Sequence, residues 1–307
     1  MIDVESYLLR LPQNLPRYTS YPHATHFGVL TDPSIPAALL EACRRAETLS
    51  VYIHIPFCDR LCWFCGCHTK QTLSYEPITA YVKALVREIE DFGQRLGIHK
   101  RISKIHLGGG SPSLLKEKEL SGIRKALETV GAFGESTEIS LEVDPSDIKP
   151  HSISDFLTFG MTRTSIGVQD FDPAVQMAIN RPQSFELTRN VVNSLRDAGV
   201  KSLNIDALYG LPLQTQERLQ DSISKVVSLS PDRIALFGYA HVPWMKRHQK
   251  LIKEADLPSQ LDRLRGATWA AKKIVSEGYQ PIGIDHFAKP KDSLAIAAGG
   301  GKPKRNF

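Results

Sequence analysis

The amino-acid sequence predicts an α/β fold: an open, partial (β/α) barrel of about six parallel strands, with a doubly wound open sheet as the alternative arrangement of the same elements. Three observations lead there. Short β-branched runs recur along the chain, amphipathic helical segments separate them, and the strand–helix pairs number about six or seven, short of the eight that close a full barrel. Parallel strands need long crossovers, and helix-length segments between the runs supply them.

Taken in order, the first run is 51–55 (VYIHI). Behind it Ile78, Tyr81, Val82, Leu85, Val86, Ile89 and Phe92 recur at spacings of three and four, which places them on one apolar helix face. The run 102–107 (ISKIHL) is followed by a similar helical pattern over 118–130, and 139–143 (ISLEV) and 164–168 (TSIGV) supply the third and fourth strands. Helical patterns over 184–198, 216–228 and 258–277 alternate with the runs 203–207 (LNIDA) and 234–239 (IALFGY), and 279–284 is a weaker strand candidate. In either arrangement the loops after the strands' C-terminal ends build the site.

Composition narrows the function classes. The chain has 307 residues, 42% of them hydrophobic, enough for a sizeable core. Its net charge of +5 is spread along the sequence, and the one compact basic cluster is Lys302, Lys304 and Arg305. A nucleic-acid partner, which asks for a concentrated basic stripe, is therefore not expected, whereas a small anionic substrate suits the mild excess. No run approaches the roughly 18 apolar residues of a membrane span, and the start MIDVESYLLR is acidic and lacks a signal peptide's apolar core. The expectation is a cytoplasmic protein without a membrane partner.

Of five cysteines, Cys58, Cys62, Cys65 and Cys67 fall inside ten residues directly after the first strand, and Cys43 stands apart. Such clustering points to metal rather than to disulfides. The segment HIPFCDRLCWFCGCHTK has the spacing C-x3-C-x2-C-x-C. Soft thiolates select iron–sulfur clusters or zinc, and structural zinc sites normally use two separate cysteine pairs, which this chain lacks. The residues by themselves leave Cys67 open as a fourth ligand. Among the ten histidines, His54 alternates inside the first strand and His68, His106, His241 and His286 lie near motif loops, a pattern of polar packing rather than of a second metal site.

Further segments carry a resemblance: PRYTSYP at 16–22, YIHIPFC at 52–58, CWFCGC at 62–67, HLGGGSPS at 106–113, EISLEVDP at 138–145, IGVQDF at 166–171, NRPQ at 180–183, NIDALYGLP at 204–212, YAHVP at 239–243 and GIDHFAKP at 283–290. The C-x3-C-x2-C loop resembles that of the radical SAM superfamily, and the wider text resembles its oxygen-independent coproporphyrinogen III oxidase (coproporphyrinogen dehydrogenase) family over essentially the whole chain. The resemblance implies a radical SAM partial barrel over residues 49–290, an N-terminal extension at 1–48 and the start of an incomplete C-terminal region at 291–307.

The resemblance also implies cofactors and roles. Cys58, Cys62 and Cys65 would ligate a 4Fe-4S cluster whose free iron takes S-adenosylmethionine, leaving Cys67 a non-ligand. Two S-adenosylmethionine molecules would be contacted by Tyr52, Phe64, Gly109, Gly110, Ser111, Glu142, Gln169, Arg181, Asp206 and Ala240. Glycines 108–110 beyond a strand suit close backbone approach to a ligand, Glu142 and Asp206 are carboxylates in apolar runs that need partners, and Arg181 could fork onto a methionyl carboxylate. The implied reaction converts two propionates of coproporphyrinogen III to vinyls in haem biosynthesis, in a monomer served by a reductase or flavodoxin-like electron donor. By charge, Lys289, Arg17 and Arg163 are candidates for the substrate's carboxylates. Family members continue beyond GIDHFAKP into a helical region covering the active site, whereas this sequence stops at Phe307 and reads as a shortened form in which water exclusion would suffer. The alternative readings are a truncated inactive form of the enzyme and a non-catalytic haem carrier, although related carriers follow the third cysteine with Asp-Phe where Gly66-Cys67 stands here.

Overall fold

The computed structural model describes residues 26–29 and 31–299. The motif at 16–22, Arg17 and the basic cluster at 302–305 lie outside the described residues.

After a first helix, α1 (Ile35–Arg45), six strands follow: β1 (Thr48–Ile55), β2 (Lys100–Gly109), β3 (Glu138–Val143), β4 (Arg163–Gln169), β5 (Ser202–Tyr209) and β6 (Arg233–Gly238). They pair parallel in chain order. Between and after them run α2 (Glu76–Leu96), α3 (Glu117–Val130), α4 (Pro150–Phe159), the short α5 (Pro173–Ala178), α6 (Phe185–Asp197), α7 (Gln216–Ser228) and α8 (Gln260–Ser276). Local chemistry sets several boundaries. Ser184, Thr215 and Ser259 accept hydrogen bonds from first-turn amides of α6, α7 and α8, and Gly97 ends α2 in the left-handed conformation at φ 68°.

The strands have two unlike faces. Ile53, Ile55, Ile105, Leu107, Ile139, Leu141, Val143, Ile166, Leu203, Ile205 and Ile234 are buried in one continuous core with the apolar helix faces. From the opposite face Tyr52, His106, Ser140, Glu142, Ser165, Asn204, Asp206 and Phe237 line a single cavity of about 530 Å³. A cavity that collects side chains from all six strands requires a curled sheet, which decides for the open partial barrel over the doubly wound sheet. Parallel strands usually read as apolar on both faces because helices cover both. Here the inner face is polar because it encloses a cavity.

The weak candidate at 279–284 does not become a seventh parallel strand. Gly283, at φ +73°, turns the chain, and two short strands result, β7 (Gln280–Ile282) and β8 (His286–Ala288). They form an antiparallel hairpin whose β8 pairs antiparallel with β6. A return this short cannot cross over to a parallel position. The hairpin and a last short helix, α9 (Ser293–Ala298), stand at one end of the sheet and β1 at the other. No helix among the described residues is long and apolar enough to cross a membrane.

A cysteine-lined candidate site at the strand ends

Leaving β1, the chain forms a one-step parallel pairing of Phe57–Cys58 with Lys70–Gln71, which pinches off residues 59–69 as a compact loop. Cys58 at its base and Cys62, Cys65 and Cys67 on the loop itself line a second cavity, of about 230 Å³. Its other walls come from four strands and the turns that follow them: Gly109 at the end of β2 with Gly110 and Ser111 beyond it, Glu142 on β3 with Asp144 just past it, Gly167 and Gln169 on β4 and Asp206 in the middle of β5, with Arg181 from the loop after α5. Three of its residues, Glu142, Ser165 and Asp206, also line the barrel cavity, so the two spaces meet.

Eight of the ten residues expected to contact cofactors therefore share one cavity with Cys58, Cys62 and Cys65: Phe64, Gly109, Gly110, Ser111, Glu142, Gln169, Arg181 and Asp206. Tyr52 does not join them. It faces the barrel cavity, stacks on His106 with centroids 5.6 Å apart, and its hydroxyl lies 3.0 Å from His54 Nδ1. Burial, with Glu142 nearby, pushes its phenol up to about 12. Ala240 is exposed, and its carbonyl accepts from Gln249 Nε2 at 3.2 Å.

The glycines have a different reason from the one expected. A Cβ on Gly110 would stand 2.6 Å from the Phe57 carbonyl oxygen and 2.9 Å from that of Ile55, and one on Gly109, already at φ +116°, would meet the His54 ring at 2.5 Å. The close approach that excludes a side chain is to the protein's own first strand and cysteine loop, not to open cavity. At Gln169 the strand bulges, since its partner register slips between Gly167 and Gln169, and the residue takes φ 71°. A non-glycine residue held there stores backbone strain beside the cysteines.

The carboxylates find polar partners. Glu142 accepts from the Gly109 amide at 2.9 Å, and its other oxygen lies 3.2 Å from His106 Nε2. Asp206 accepts from Ser165 Oγ at 2.9 Å and Asn204 Nδ2 at 2.7 Å, and burial raises its carboxyl to about 6. Ser111 Oγ donates to Asp147, which burial and the neighbouring Asp144 charge raise to about 7. Arg181 departs from expectation. It is a buried arginine whose Nη1 pairs with Asp144 at 2.7 Å and whose Nη2 donates to the Gly167 carbonyl at 2.7 Å. Burial works against its charge, yet Asp144 holds its pKa above the ordinary arginine value. Nη1 and Nη2 are thus already engaged by the protein, while Nε is buried without a partner.

The cysteines differ in their surroundings. Burial pushes Cys58 up to about 12 and also raises Cys62, although the Arg181 guanidinium, 3.4 Å from Cys62 Sγ, pulls the other way. Cys65 is drawn down because Cys67 donates to its sulfur, with His248 and Lys246 adding positive charge, and Cys67 is raised in consequence. Three soft sulfurs on one loop suit a cluster, whose positive irons stabilise the thiolates that burial otherwise disfavours. Among the described residues no group of three or more His, Cys, Asp or Glu side chains is gathered closely enough for a single ion.

Sequence reasoning missed what holds the loop. Gln249, 1% exposed, donates through Nε2 to the Phe64 carbonyl at 2.9 Å and the Ala240 carbonyl at 3.2 Å, and its Oε1 accepts from the Val242 amide at 2.6 Å. His248 Nε2 lies 2.7 Å from the Cys65 carbonyl, and Lys246 donates to that of Cys67 at 2.9 Å. No local pattern marks these residues. Asp144 had a signal, since it stands in the quoted EISLEVDP segment two residues beyond Glu142. Of the basic residues offered for substrate carboxylates, Arg163 reaches the barrel cavity but pairs with Glu138 at 3.1 Å. Lys289 is drawn to Ser230, beyond the opposite ends of the strands.

Comparison with known proteins agrees with this geometry. Residues 52–226 match the family model described as the radical SAM superfamily. An oxygen-independent coproporphyrinogen III oxidase of Cereibacter sphaeroides is 47% identical over 95% of this chain and 65% of its own length, and one of Paracoccus denitrificans is 44% identical over the same shares. The solved coproporphyrinogen III oxidase from Escherichia coli, described as a radical SAM enzyme, superposes with a TM-score of 0.84 at 39% identity, over 91% of this chain and 64% of that one. The chain thus spans about 65% of the length of the curated relatives it matches. The superfamily works with a 4Fe-4S cluster and S-adenosylmethionine. With a family model covering the parallel strands from Tyr52 through α7 and three cysteines on the loop after β1, the chain belongs to the radical SAM superfamily.

Proposed function

We propose that the chain carries out the oxidative decarboxylation of coproporphyrinogen III, turning two propionates into vinyls to give protoporphyrinogen IX, anaerobically and in the cytoplasm. The observation that supports this best is the meeting of two spaces: a cysteine-lined cavity at the strand ends opens onto a polar barrel cavity through Glu142, Ser165 and Asp206. Chemistry begun at the loop has a polar chamber beside it in which a polyanionic substrate group can be held. The similarity to named coproporphyrinogen III oxidases adds the substrate. Residues 1–48, 49–290 and 291–307 are proposed as extension, barrel and the start of a further region.

In this reading Cys58, Cys62 and Cys65 hold the cluster and Cys67 does not. When bound, the cluster and S-adenosylmethionine supply a 5′-deoxyadenosyl radical that can remove a hydrogen atom from a propionate side chain. The protein binds, orients and excludes water. Glu142, Asp206, Gln169 and Ser111 offer polar atoms to two S-adenosylmethionine molecules, Phe64 and Tyr52 offer ring faces on either side, and Gly109, Gly110 and Ala240 offer backbone. Arg181, already paired with Asp144, acts as a buttress that fixes the cavity wall behind Cys62. The electron comes from a separate reductase or flavodoxin-like protein, and the working unit is a monomer.

The test is anaerobic reconstitution with iron and sulfide, followed by measurement of 5′-deoxyadenosine and of vinyl product with and without coproporphyrinogen III. Substrate-dependent formation of both is expected. A reconstituted cluster that yields neither, in a protein that instead binds haem stoichiometrically, would replace this reading by the carrier one.

A further inference from the structure

Beside the cysteine loop lies a surface that the reaction chemistry leaves without a role. Between His241 and Lys253 the chain carries Lys246, Arg247, Lys250 and Lys253, and the acids begin only at Glu254, which lies 3.5 Å from His241 at the edge of this surface. Trp244 is 71% exposed, Met245 70% and Leu251 58%, three large apolar side chains standing in solvent amid those positive charges. Isolated exposed apolar residues are ordinary, but a tryptophan, a methionine and a leucine within eight residues, set among basic groups, have the composition of a recognition patch.

The segment is held against the loop. Lys246 donates to the Cys67 carbonyl, His248 lies at the Cys65 carbonyl, and buried Gln249 donates to that of Phe64. The short helical turn Arg247–Leu251 is therefore a direct extension of the cysteine loop's outer edge. That edge is itself bare, since Gly66, Cys67 and His68 are exposed and a Cβ on Gly66 would meet nothing within 4 Å. Electron transfer weakens steeply with distance, so a donor has to dock where the loop is open.

We propose that Trp244, Met245 and Leu251, with Arg247, Lys250 and Lys253, form the docking surface for an acidic protein that carries one electron at a time. This rests on the reading that the loop holds a cluster needing an electron. Positive charge around an apolar centre steers an acidic partner and fixes its orientation, and the apolar centre excludes water once it is seated. The electron accounting is simple. A donor with a reduced flavin gives up one electron, passing from anionic hydroquinone to neutral semiquinone, and the cluster on the loop accepts it, with no proton or heavy atom exchanged.

The experiment uses the anaerobically reconstituted chain and photoreduced flavodoxin, an acidic flavoprotein, as the probe. Binding of oxidised flavodoxin is read by titration calorimetry, and cluster reduction by its spectroscopic signature against both flavodoxin and dithionite. In the double variant Arg247→Glu with Lys250→Glu, reduction by flavodoxin should fall by about tenfold or more at low ionic strength and lose most of its salt dependence. Trp244→Ala should weaken binding, Lys250→Arg should keep it, and dithionite should reduce every variant as it does the unmodified chain. Unchanged flavodoxin binding and reduction in the double variant would overturn the proposal, as would a chain dimer that Trp244→Ala dissolves, for then a second copy owns the patch. If dithionite already fails to reduce the unmodified chain, the proposed function falls and the docking role with it. A failure confined to the flavodoxin arm is the docking role's alone.

Discussion

At the scale of single residues the site separates side chains that hold something from side chains that hold the protein. Replacing any one of Cys58, Cys62 or Cys65 by Ala is expected to abolish the cluster, whereas Cys67→Ala should keep about four irons per chain after anaerobic reconstitution. Iron analysis decides it, and loss of iron from the Cys67 variant would make Cys67 a ligand. Asp206 gives a prediction in pH. Its folded value of about 6 stands above the ordinary aspartate 3.8, so the folded state binds the proton more tightly. The protein then loses stability from this residue as pH rises from about 4 through about 6, and the penalty persists above that. Asp206→Asn should remove that slope and raise stability at pH 7 by on the order of 1–2 kcal/mol, the residue's partial exposure to the cavity moderating the full effect of burial. Urea unfolding across pH 4–7 measures it, and an unchanged slope would show that Asp206 ionises freely.

At the scale of elements the first strand and the turn after the second are fitted to each other. The Gly110 amide donates to the Ile55 carbonyl at 2.8 Å and the Ser111 amide to that of Phe57 at 2.7 Å, which locks the start of the cysteine loop onto the end of β2. Because the atoms a Cβ at Gly110 would strike are backbone carbonyl oxygens, no side-chain rotation relieves the clash. Gly110→Ala should cost about 1–3 kcal/mol, read as a lower urea midpoint, and should slow cluster assembly as β1 and the loop shift. Equal midpoints for the two proteins would mean that the junction is looser than its hydrogen bonds indicate. Strands and long helices were legible from sequence because periods of two and of three to four are local properties. Helices α1 and α4 and the hairpin β7–β8 were not, the helices because their patterns are short and the hairpin because only contact with β6 determines where those residues pair.

For the whole molecule the decisive feature is that the segment after β6 closes on the loop after β1. Gln249 lies 185 residues from Phe64 in sequence, yet it satisfies that residue's carbonyl, the Ala240 carbonyl and the Val242 amide from a buried position. Gln249→Ala would leave buried backbone groups unpaired at a cost of about 1–3 kcal/mol. The core under the helices is remote from it, so global unfolding should stay cooperative while iron is lost faster to a chelator. Iron release followed by absorbance checks this, and a release rate equal to that of the unmodified chain would place the loop's anchorage elsewhere.

The sequence by itself determined the order of the six parallel strands and of the long helices between them, the placing of the site beyond the strand ends and the three-cysteine spacing, because each depends on residues close together along the chain. It also marked Glu142 and Asp206 as carboxylates in apolar runs that need partners. Only the tertiary structure decided which partners they have, that Arg181 pairs with Asp144, that a side chain at Gly109 or Gly110 would strike β1 and the cysteine loop, and that the inner strand face encloses a polar cavity. Those outcomes turn on the curl of the sheet and on pairings between residues tens to nearly two hundred positions apart, where burial makes one partner's satisfaction depend on another that no local pattern specifies.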